Sequence, residues 1–311
     1  MSLISPVTWH KSNHSAVKTG GSDVIILEES LRQLSPQPFS MDDGDFNLIS
    51  SYIKSKIGLN LGSEKRSLIY SRLRGILLEK RFSSLAEYYD YLTGDATGAA
   101  LNEFISRVTT NHTFFMREPD HFDYFSRTAL PQIERLERGK DIRLWCSGCS
   151  TGQEAYTLQI LLMEYFRDKP GWDTRILATD ISSEALGKAV RGVYSANAVE
   201  PLPEAWIRNY FVRSGGVGPN GAEYTASGEL KRGVIFRKFN LMDAAFPFKK
   251  PFQVIFCRNV MIYFDTATRD ELVSKFSKIL LPGGYLFIGH SETIRGAPDL
   301  KYIAPALYQK I

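Results

Sequence analysis

Short apolar runs alternate with helical patterns through the second half of this chain, and that alternation constrains the fold more than any other feature. The predicted strands cover residues 142–146, 175–179, 234–238, 253–257 and 285–289. The predicted helices between them cover residues 153–166, 183–191 and 266–280. Strands that alternate with helices form a parallel sheet with helices on both faces. The alternation stops between Tyr194 and Leu230, where residues 208–213 and 222–230 predict a short β excursion, and residues 302–309 predict a terminal antiparallel strand.

The loop after the first predicted strand has the composition of a nucleoside site. Residues 147–152 are all small, a helical pattern begins at Gln153, and the next predicted strand ends at Asp180. Small residues let the backbone approach a ligand closely, and an acid at the second strand can bond ribose hydroxyls. The loop lacks the phosphate-binding glycine spacings and carries Glu154, which favours a nucleoside with a charged amine and no phosphates, such as S-adenosylmethionine. An ordinary strand-to-helix turn with an incidental acid is the alternative.

Composition narrows the class of protein. With 311 residues, 43% of them apolar and 23% charged, the chain resembles a soluble globular protein with room for two domains. No apolar run approaches the ~20 residues that a membrane span needs, and the first residues lack the pattern of a secretory signal. Three cysteines are too few for a disulfide framework. We therefore expect a cytoplasmic protein that does not insert into a membrane.

A Cys-x-x-Cys motif raises the question of a zinc or redox site. Cys146 and Cys149 form the motif, but Cys257 is far along the chain and the five histidines show no metal-ligand spacing near it. The context of a thioredoxin-like motif is also missing. We expect small, partly buried residues that line the loop, and no bound metal.

The basic residues are concentrated on one predicted helix. Residues 63–82 carry six bases and two acids, so this segment holds a net charge of +4, equal to that of the whole chain. A confined basic face suits an acidic protein partner better than nucleic acid, for which aromatic platforms are also missing. A solvated face on a packed helix is the alternative.

Residues 42–110 are predicted to form a small all-helical domain that follows a leader. Residues 1–40 show no sustained period and are interpreted as a mobile leader. Asp42 or Asp43 can cap a helix that carries Phe46, Ile49, Ile53 and Ile57 and stops at Gly58. Ser63 is predicted to cap the basic helix, whose apolar stripe consists of Ile69, Leu73, Ile76 and Leu77. Further helical patterns cover residues 85–92, 99–108 and 120–137.

Six motifs together resemble a known family. In order, they are Thr110-Asn-His-Thr-Phe-Phe-Met-Arg117, the Cys-Ser-x-Cys-Ser-Thr-Gly-x-Glu loop, Ala178-Thr-Asp180, Phe239-Asn-Leu241, Phe256-Cys-Arg-Asn-Val-Met-Ile-Tyr-Phe264 and Gly289-His-Ser-Glu292. From about residue 42 to its end, the chain closely resembles the CheR-type methyltransferases, which methylate chemoreceptor glutamates. The resemblance implies a class I S-adenosylmethionine-dependent methyltransferase domain with a Rossmann-like α/β sheet. It also implies an all-helical N-terminal domain and a small inserted antiparallel β-subdomain.

The resemblance implies boundaries and site residues. The domains would be a helical substrate-recognition domain with its linker at 41–118 and a methyltransferase domain at 119–311, with the β-subdomain at about 194–232. The cofactor would contact Asn111, Thr113, Arg117, Glu154, Asp180, Asn240, Leu241, Arg258 and Asn259. Arg117 and Tyr263 would lie nearest the reacting carboxylate, and Arg66 and Arg72 would dock the substrate. The side-chain chemistry of these residues agrees with the implied roles. Asp180 offers two acceptor oxygens to a ribose diol, and Asn240 can both donate and accept at an adenine edge. A helix N-cap is the alternative role of Asp180.

The implied reaction uses S-adenosylmethionine, leaves S-adenosylhomocysteine, and involves no metal. The implied partner is the helical cytoplasmic region of a chemoreceptor, and the chain would act as a monomer without nucleic acid. Gln153 and Ala155 depart from the family pattern beside Glu154. The long loop at 214–221 favours an enzyme that does not depend on a receptor's C-terminal peptide. The open alternatives are a binding-only adaptor and a methyltransferase for a small molecule or nucleic acid.

Overall fold

The first helix begins and ends where its sequence predicts. The computed structural model describes residues 41–109, 111–215 and 221–311, so the predicted leader lies outside the described residues. Helix α1 (Asp43–Ile57) starts with a capping box in which the Asp42 carboxylate accepts from the Asp45 amide at 2.7 Å. It stops at Gly58, whose φ of 73° is a left-handed conformation that glycine adopts at little cost. The four predicted apolar residues of α1 are buried.

Helix α1 belongs to a helical part of the chain, residues 41–109. Its other helices are α2 (Arg66–Lys80), α3 (Leu85–Gly94) and α4 (Ala99–Val108). The predicted apolar stripe of α2 is buried. The predicted cap at Ser63 is wrong, because Ser63 lies inside a 3₁₀ turn (Ser63–Lys65) that precedes α2, and the N-cap position of α2 is occupied by Lys65. Ser84 does cap α3, since its side chain accepts from the Glu87 amide.

One helical run connects the helical part to the sheet. It consists of α5 (Pro119–Tyr124), a π-helical turn (Phe125–Ala129) and α6 (Leu130–Leu136). The sequence predicts a single regular helix over 120–137. Pro131 has no N–H and its ring crowds the carbonyl one turn earlier, and a π turn is one way in which a helix accommodates that loss.

A seven-stranded sheet follows. Its strands are β1 (Leu144–Cys146), β2 (Ile176–Asp180), β6 (Val234–Lys238), β7 (Phe252–Cys257), β8 (Leu280–Ile288), β9 (Leu300–Ala304) and β10 (Leu307–Lys310). They lie in the order β6-β2-β1-β7-β8-β10-β9, and the five strands from β6 to β8 pair in parallel. The flanking helices are α7 (Gln153–Phe166), α8 (Ser183–Arg191) and α12 (Thr266–Ile279). The predicted α/β sheet is confirmed, although its antiparallel end holds two strands where the sequence predicts one.

The inserted segment forms a separate small antiparallel sheet in the order β3-β5-β4. Its elements are β3 (Val193–Ser195), α9 (Ala196–Val199), α10 (Glu204–Tyr210), β4 (Phe211–Ser214), β5 (Glu223–Ala226) and α11 (Gly228–Arg232). The predicted excursion is confirmed, but residues 208–210 end a helix and residues 228–230 begin one. Strand β3 was not predicted, because three residues directly after the C-cap of α8 show too short an alternation. The predicted long loop at 214–221 lies largely outside the described residues.

Alternate residues of the central strands pack on opposite faces of the sheet, as the two-residue period of a strand requires. Leu144, Cys146 and Phe256 belong to one buried cluster, whereas Trp145 and Ile255 belong to the other. The Trp145 indole N–H donates to the hydroxyl of Thr179 at 2.9 Å, so its polar group is satisfied inside the core. The rigid strands hold their carboxyl ends at one edge.

The helical part packs against that edge. The Asn60 amide donates to the Tyr263 carbonyl at 2.8 Å, and the Lys54 ammonium pairs with the Asp265 carboxylate at 2.7 Å. These contacts leave a cleft between the helices and the strand ends. No helix of the described ranges is both long and apolar enough to cross a membrane.

Candidate functional site

The cleft opens at the carboxyl ends of β1, β2 and β7 and encloses about 1010 Å³, including the part that is open to solvent. Its wall contains seven of the predicted cofactor residues, together with Tyr263 and Arg72; those seven are Asn111, Thr113, Arg117, Glu154, Asp180, Arg258 and Asn259. In parallel α/β sheets, ligands bind at this edge. The fold therefore brings together residues that are far apart in sequence.

Asp180 ends β2 and faces the cleft. Its carboxylate accepts from the Ser150 amide at 2.8 Å and from the Ser182 amide at 2.9 Å. Burial raises the pKa of Asp180, and the hydrogen bonds from Ser182 and Ser150 oppose that rise. Helix α8 is capped by Ser182, whose side chain accepts from the Ala185 amide, so Asp180 is not its N-cap. Lone pairs of Asp180 remain available to a ligand.

Glu154 and Arg258 form part of a buried ion-pair network. Arg258 Nη1 lies 2.8 Å from Glu154 Oε2, and its Nη2 lies 3.0 Å from Glu118 Oε2. The Arg258 side chain is fully buried. Burial opposes ionisation of Glu118, but Arg258 and the other hydrogen bonds hold its pKa below the ordinary value. One guanidinium thus lies between two carboxylates, and the network keeps a net negative charge beside the cleft.

The three cysteines Cys146, Cys149 and Cys257 are free and buried. The Cys146 thiol donates to Glu154 Oε1 at 3.2 Å. Burial raises the pKa of Cys146 and of Cys149, so both remain protonated near neutral pH.

Arg117 and Tyr263 line the cleft from two different loops. Arg117 Nη1 donates to the His112 carbonyl at 2.9 Å, and its guanidinium carbon lies 5.8 Å from the centre of the Phe114 ring. Tyr263 belongs to a 3₁₀ turn (Met261–Tyr263), and Lys65 Nζ lies 5.9 Å from the centre of its ring. Both side chains are partly exposed, so a substrate can reach them.

Asn240 and Leu241 line a neighbouring hollow that shares Asp180 and Tyr263 with the cleft. The Asn240 amide nitrogen donates to the Lys56 carbonyl at 2.8 Å, and its oxygen accepts from the Met242 amide at 3.0 Å. One N–H and one lone pair of that amide are left for a ligand.

The two predicted docking residues occupy different surroundings. Arg72 lines the cleft, and its Nη1 donates to the Val108 carbonyl. Arg66 instead pairs with the Asp43 carboxylate and donates to the Met41 carbonyl, and it does not line the cleft. The structure therefore separates two residues that the resemblance groups together.

Lys65 and Glu118 were not predicted as site residues, and only Lys65 lines the cleft. Lys65 lines the cleft beside Tyr263. Glu118 holds the Arg258 guanidinium and accepts from the Asn259 side chain at 3.2 Å. The sequence predicted its neighbour Arg117 as a site residue, but nothing in a single sequence shows that Glu118 contacts Arg258, 140 positions away.

Glu118 also meets two histidines. The ligand atoms of Glu118, His121 and His290 lie within 4.8 Å of one another. Both oxygens of Glu118 are already engaged by Arg258 and Asn259, and a metal ion here would meet the guanidinium charge. Burial, Arg258 and His290 lower the pKa of His121 to about 4, so its imidazole is neutral near pH 7.

Comparison with known proteins decides the family. Residues 44–109 match the family described as CheR methyltransferase, all-alpha domain, and residues 111–308 match CheR methyltransferase, SAM binding domain. This chain belongs to the CheR methyltransferase family. It is a methyltransferase that uses S-adenosylmethionine, with an all-helical N-terminal domain and a class I catalytic domain.

Curated relatives in the CheR family cover most of the chain. The chemotaxis protein methyltransferase of Borreliella burgdorferi is 41% identical over 83% of this chain and 91% of its own length. The Salmonella typhimurium protein of the same name is 34% identical over 82% of this chain and 86% of its length. The Escherichia coli protein is 33% identical over 85% of this chain and 90% of its length. The six CheR motifs of the sequence all fall within the aligned family regions or at their junction.

Proposed function

We propose that this chain transfers the methyl group of S-adenosylmethionine to glutamate side chains in the helical cytoplasmic region of chemoreceptors. The observation that carries the proposal is the cleft, which combines the half-buried acid Asp180 with Arg117, Tyr263 and Arg72. Its acidic residues suit a cationic donor, and its basic residues suit an anionic acceptor. The relatives' name, chemotaxis protein methyltransferase, supports a partner in that system.

The described residues fit the cofactor. Asp180 has no ion-pair partner among the residues of the described ranges, so its free lone pairs can accept from two ribose hydroxyls. Glu154, Arg258 and Glu118 together carry a net negative charge that suits a sulfonium and an ammonium group. Asn240 and Leu241 would receive the adenine in the adjoining hollow. Gly148 lines both spaces, and a Cβ there would lie 2.4 Å from a Val260 methyl group.

The protein's part in the reaction is alignment. When bound, S-adenosylmethionine supplies a methyl group on a positively charged sulfur. A glutamate carboxylate is already ionised near neutral pH, so no residue of the chain has to remove a proton. Arg117 would hold the acceptor carboxylate through its guanidinium, and Tyr263 would shape the space in which an oxygen meets the methyl carbon. The walls of the cleft would also exclude water from the aligned donor and acceptor.

The test is incubation of the purified chain with methyl-labelled S-adenosylmethionine and chemoreceptor cytoplasmic fragments. We expect label on the receptor fragment that is released by mild base, as a glutamyl methyl ester would be. Binding of S-adenosylhomocysteine without any transfer would instead indicate a binding-only adaptor. A folded protein that binds neither the donor nor its product would overturn the proposal.

Arg117→Ala tests the acceptor site. We expect methylation to fall by about 100-fold, because a misplacement of the acceptor by roughly 1 Å can cost that much. Calorimetry should still detect binding of S-adenosylhomocysteine. The matched control is Arg127→Ala, which changes an exposed arginine on the following π turn and should leave the rate unchanged. Wild-type methylation by Arg117→Ala would remove the assigned role.

A further inference from the structure

The loop that carries Tyr263 (residues 258–263, the Tyr263 loop) has a backbone that needs external support. Asn259 has a φ of 58°, a left-handed conformation that is uncommon for residues with a side chain. A single 3₁₀ turn (Met261–Tyr263) follows directly. Irregular conformations of this kind persist when surrounding contacts determine them. The position of Tyr263 in the cleft therefore depends on what holds this loop.

Glu292 supplies that support from beneath the loop. Its carboxylate accepts from the Asn259 amide at 3.0 Å and from the Ile262 amide at 3.1 Å, one bond to each oxygen. The Gly289 amide donates to it as well. The two Tyr263-loop bonds thus fix residues on both sides of Val260, at the start of the loop and within its 3₁₀ turn.

Glu292 is an unusual structural carboxylate. It is only 5% exposed, and no lysine, arginine or histidine of the described ranges forms an ion pair with it. Burial raises the pKa of Glu292, and its hydrogen bonds from backbone amides oppose that rise. A buried carboxylate is costly unless it is satisfied by hydrogen bonds. The amides of the Tyr263 loop are most of what satisfies it.

The turn that carries Glu292 packs tightly against the Tyr263 loop, so the loop has little room to move. A Cβ on Gly289 would lie 2.5 Å from the Asn259 side-chain nitrogen, 2.8 Å from its amide nitrogen and 2.9 Å from Glu292 Oε2. On its other side, the Asn259 side chain donates to Glu118. The loop is therefore clamped between the Gly289–Glu292 turn and the Arg258 network.

We propose that Glu292 is a positioning residue for methyl transfer, which holds the Tyr263 loop so that the Tyr263 ring stands at the acceptor end of the cleft. This role rests on the proposed function, since Tyr263 is the residue through which it acts. Glu292 does not itself line the cleft, so it is not a catalytic residue.

Glu292→Gln is the first test, because it keeps the shape and replaces one acceptor oxygen with an NH₂ group that cannot accept. We expect kcat for methylation of a receptor fragment to fall roughly 10- to 100-fold, since small misplacements near a reacting group are expensive. KM for the fragment should change much less. The control is Glu271→Gln on α12, an exposed glutamate paired with Lys275, which should retain the wild-type kcat.

A double-mutant cycle separates positioning from general damage. If Glu292 acts through Tyr263, then Glu292→Gln added to Tyr263→Ala should lower kcat no more than about twofold further. Fully additive losses in kcat would overturn the proposal, as would wild-type kcat in Glu292→Gln alone.

Hydrogen exchange of the ligand-free protein gives a readout that does not depend on the reaction. We expect the amides of Asn259 and Ile262 to exchange faster in Glu292→Gln than in the wild type, with the strands of the sheet unchanged. If the wild type methylates no receptor fragment, the proposed function fails while this measurement still judges the loop contact. Unchanged exchange at both amides contradicts the role of Glu292 in either case.

Discussion

At the scale of single residues, buried charge dominates the site. Arg258 is completely enclosed and lies between Glu118 and Glu154, while His121 stays neutral beside the same guanidinium. A buried charge is tolerated only when its partners are in place. Removal of one member therefore affects the stability of the whole wall as well as ligand binding.

Arg258→Met should destabilise the fold. It leaves two carboxylates next to each other without their shared cation, and we expect a loss of about 3–5 kcal/mol in the free energy of unfolding. Urea unfolding at pH 7 measures it. The matched control is Arg208→Met, whose exposed pairing with Glu204 should contribute less than ~1 kcal/mol. Similar stability of the Arg258 variant and the wild type would show that the network is not energetically coupled to folding.

His121 should make stability fall in mild acid. Its pKa is lowered to about 4 in the folded state from an ordinary 6.5, through burial, Arg258 and His290, with Glu118 acting in the opposite direction. Below pH 6.5 the unfolded chain therefore binds a proton that the folded chain still excludes. This linkage favours unfolding by about 2 kcal/mol at pH 5 and is complete below about pH 4.

Unfolding experiments at pH 7 and pH 5 test this linkage. The loss of stability between the two pH values should be about 2 kcal/mol smaller in His121→Phe than in the wild type. Equal pH dependence in the wild type and His121→Phe would contradict the lowered pKa.

At the scale of elements, helix α2 has two separate tasks. Its apolar stripe packs into the helical part, while Arg72 faces the cleft and the preceding Lys65 lies against Tyr263. Arg66 lies at its start and is held by Asp43. Lys65 and Arg72 therefore line the cleft, whereas Arg66 does not.

Charge reversal along α2 should reveal this difference. With an acidic receptor fragment, Arg72→Glu should lower kcat/KM by about tenfold at low ionic strength and by less at high salt, because salt screens the attraction. Arg66→Glu should have a smaller, salt-dependent effect, since Asp43 already neutralises that side chain. Arg74→Glu makes the same charge change at an exposed position of the helix. If Arg72→Glu and Arg74→Glu lower kcat/KM equally, the effect reflects net charge in general and Arg72 has no specific docking role.

At the scale of the whole molecule, the cleft belongs to both parts of the chain. Leu59, Lys65 and Arg72 come from the helical part, whereas Asp180 ends β2 and Tyr263 comes from the 3₁₀ turn after β7. The same surfaces are joined by hydrogen bonds such as the one from the Asn60 amide to the Tyr263 carbonyl. A ligand in the cleft should therefore stabilise the two parts together.

Calorimetric unfolding with S-adenosylhomocysteine tests this coupling. At a concentration 100 times its Kd, the ligand should raise the free energy of unfolding by about 2.7 kcal/mol. We expect one transition that moves as a unit to higher temperature. Two transitions of which only one responds to the ligand would show that the helical part folds and unfolds independently of the site.

Local pattern and chemistry explain what could be predicted at each scale. The bounds of α7, α8 and β6 agree with the prediction, because each has a strong apolar period and a clear stop. Strand β3 was not predicted, since it is too short to show a period. The π turn before α6 was not predicted either, because it depends on how the helix accommodates Pro131. The strand-loop-helix pattern alone predicted Asp180 and Glu154 as site residues, and both line the cleft.

By itself, the sequence determined the order and type of the main elements, the family and the chemical character of the cleft, because these follow from local periodicity and from residue types at fixed spacing. Only the tertiary structure decided that Arg258 joins Glu118 to Glu154, that Arg72 faces the cleft while Arg66 does not, and that Glu292 holds the Tyr263 loop. Those contacts join residues far apart in sequence, and their geometry depends on how the helices pack against the strand ends.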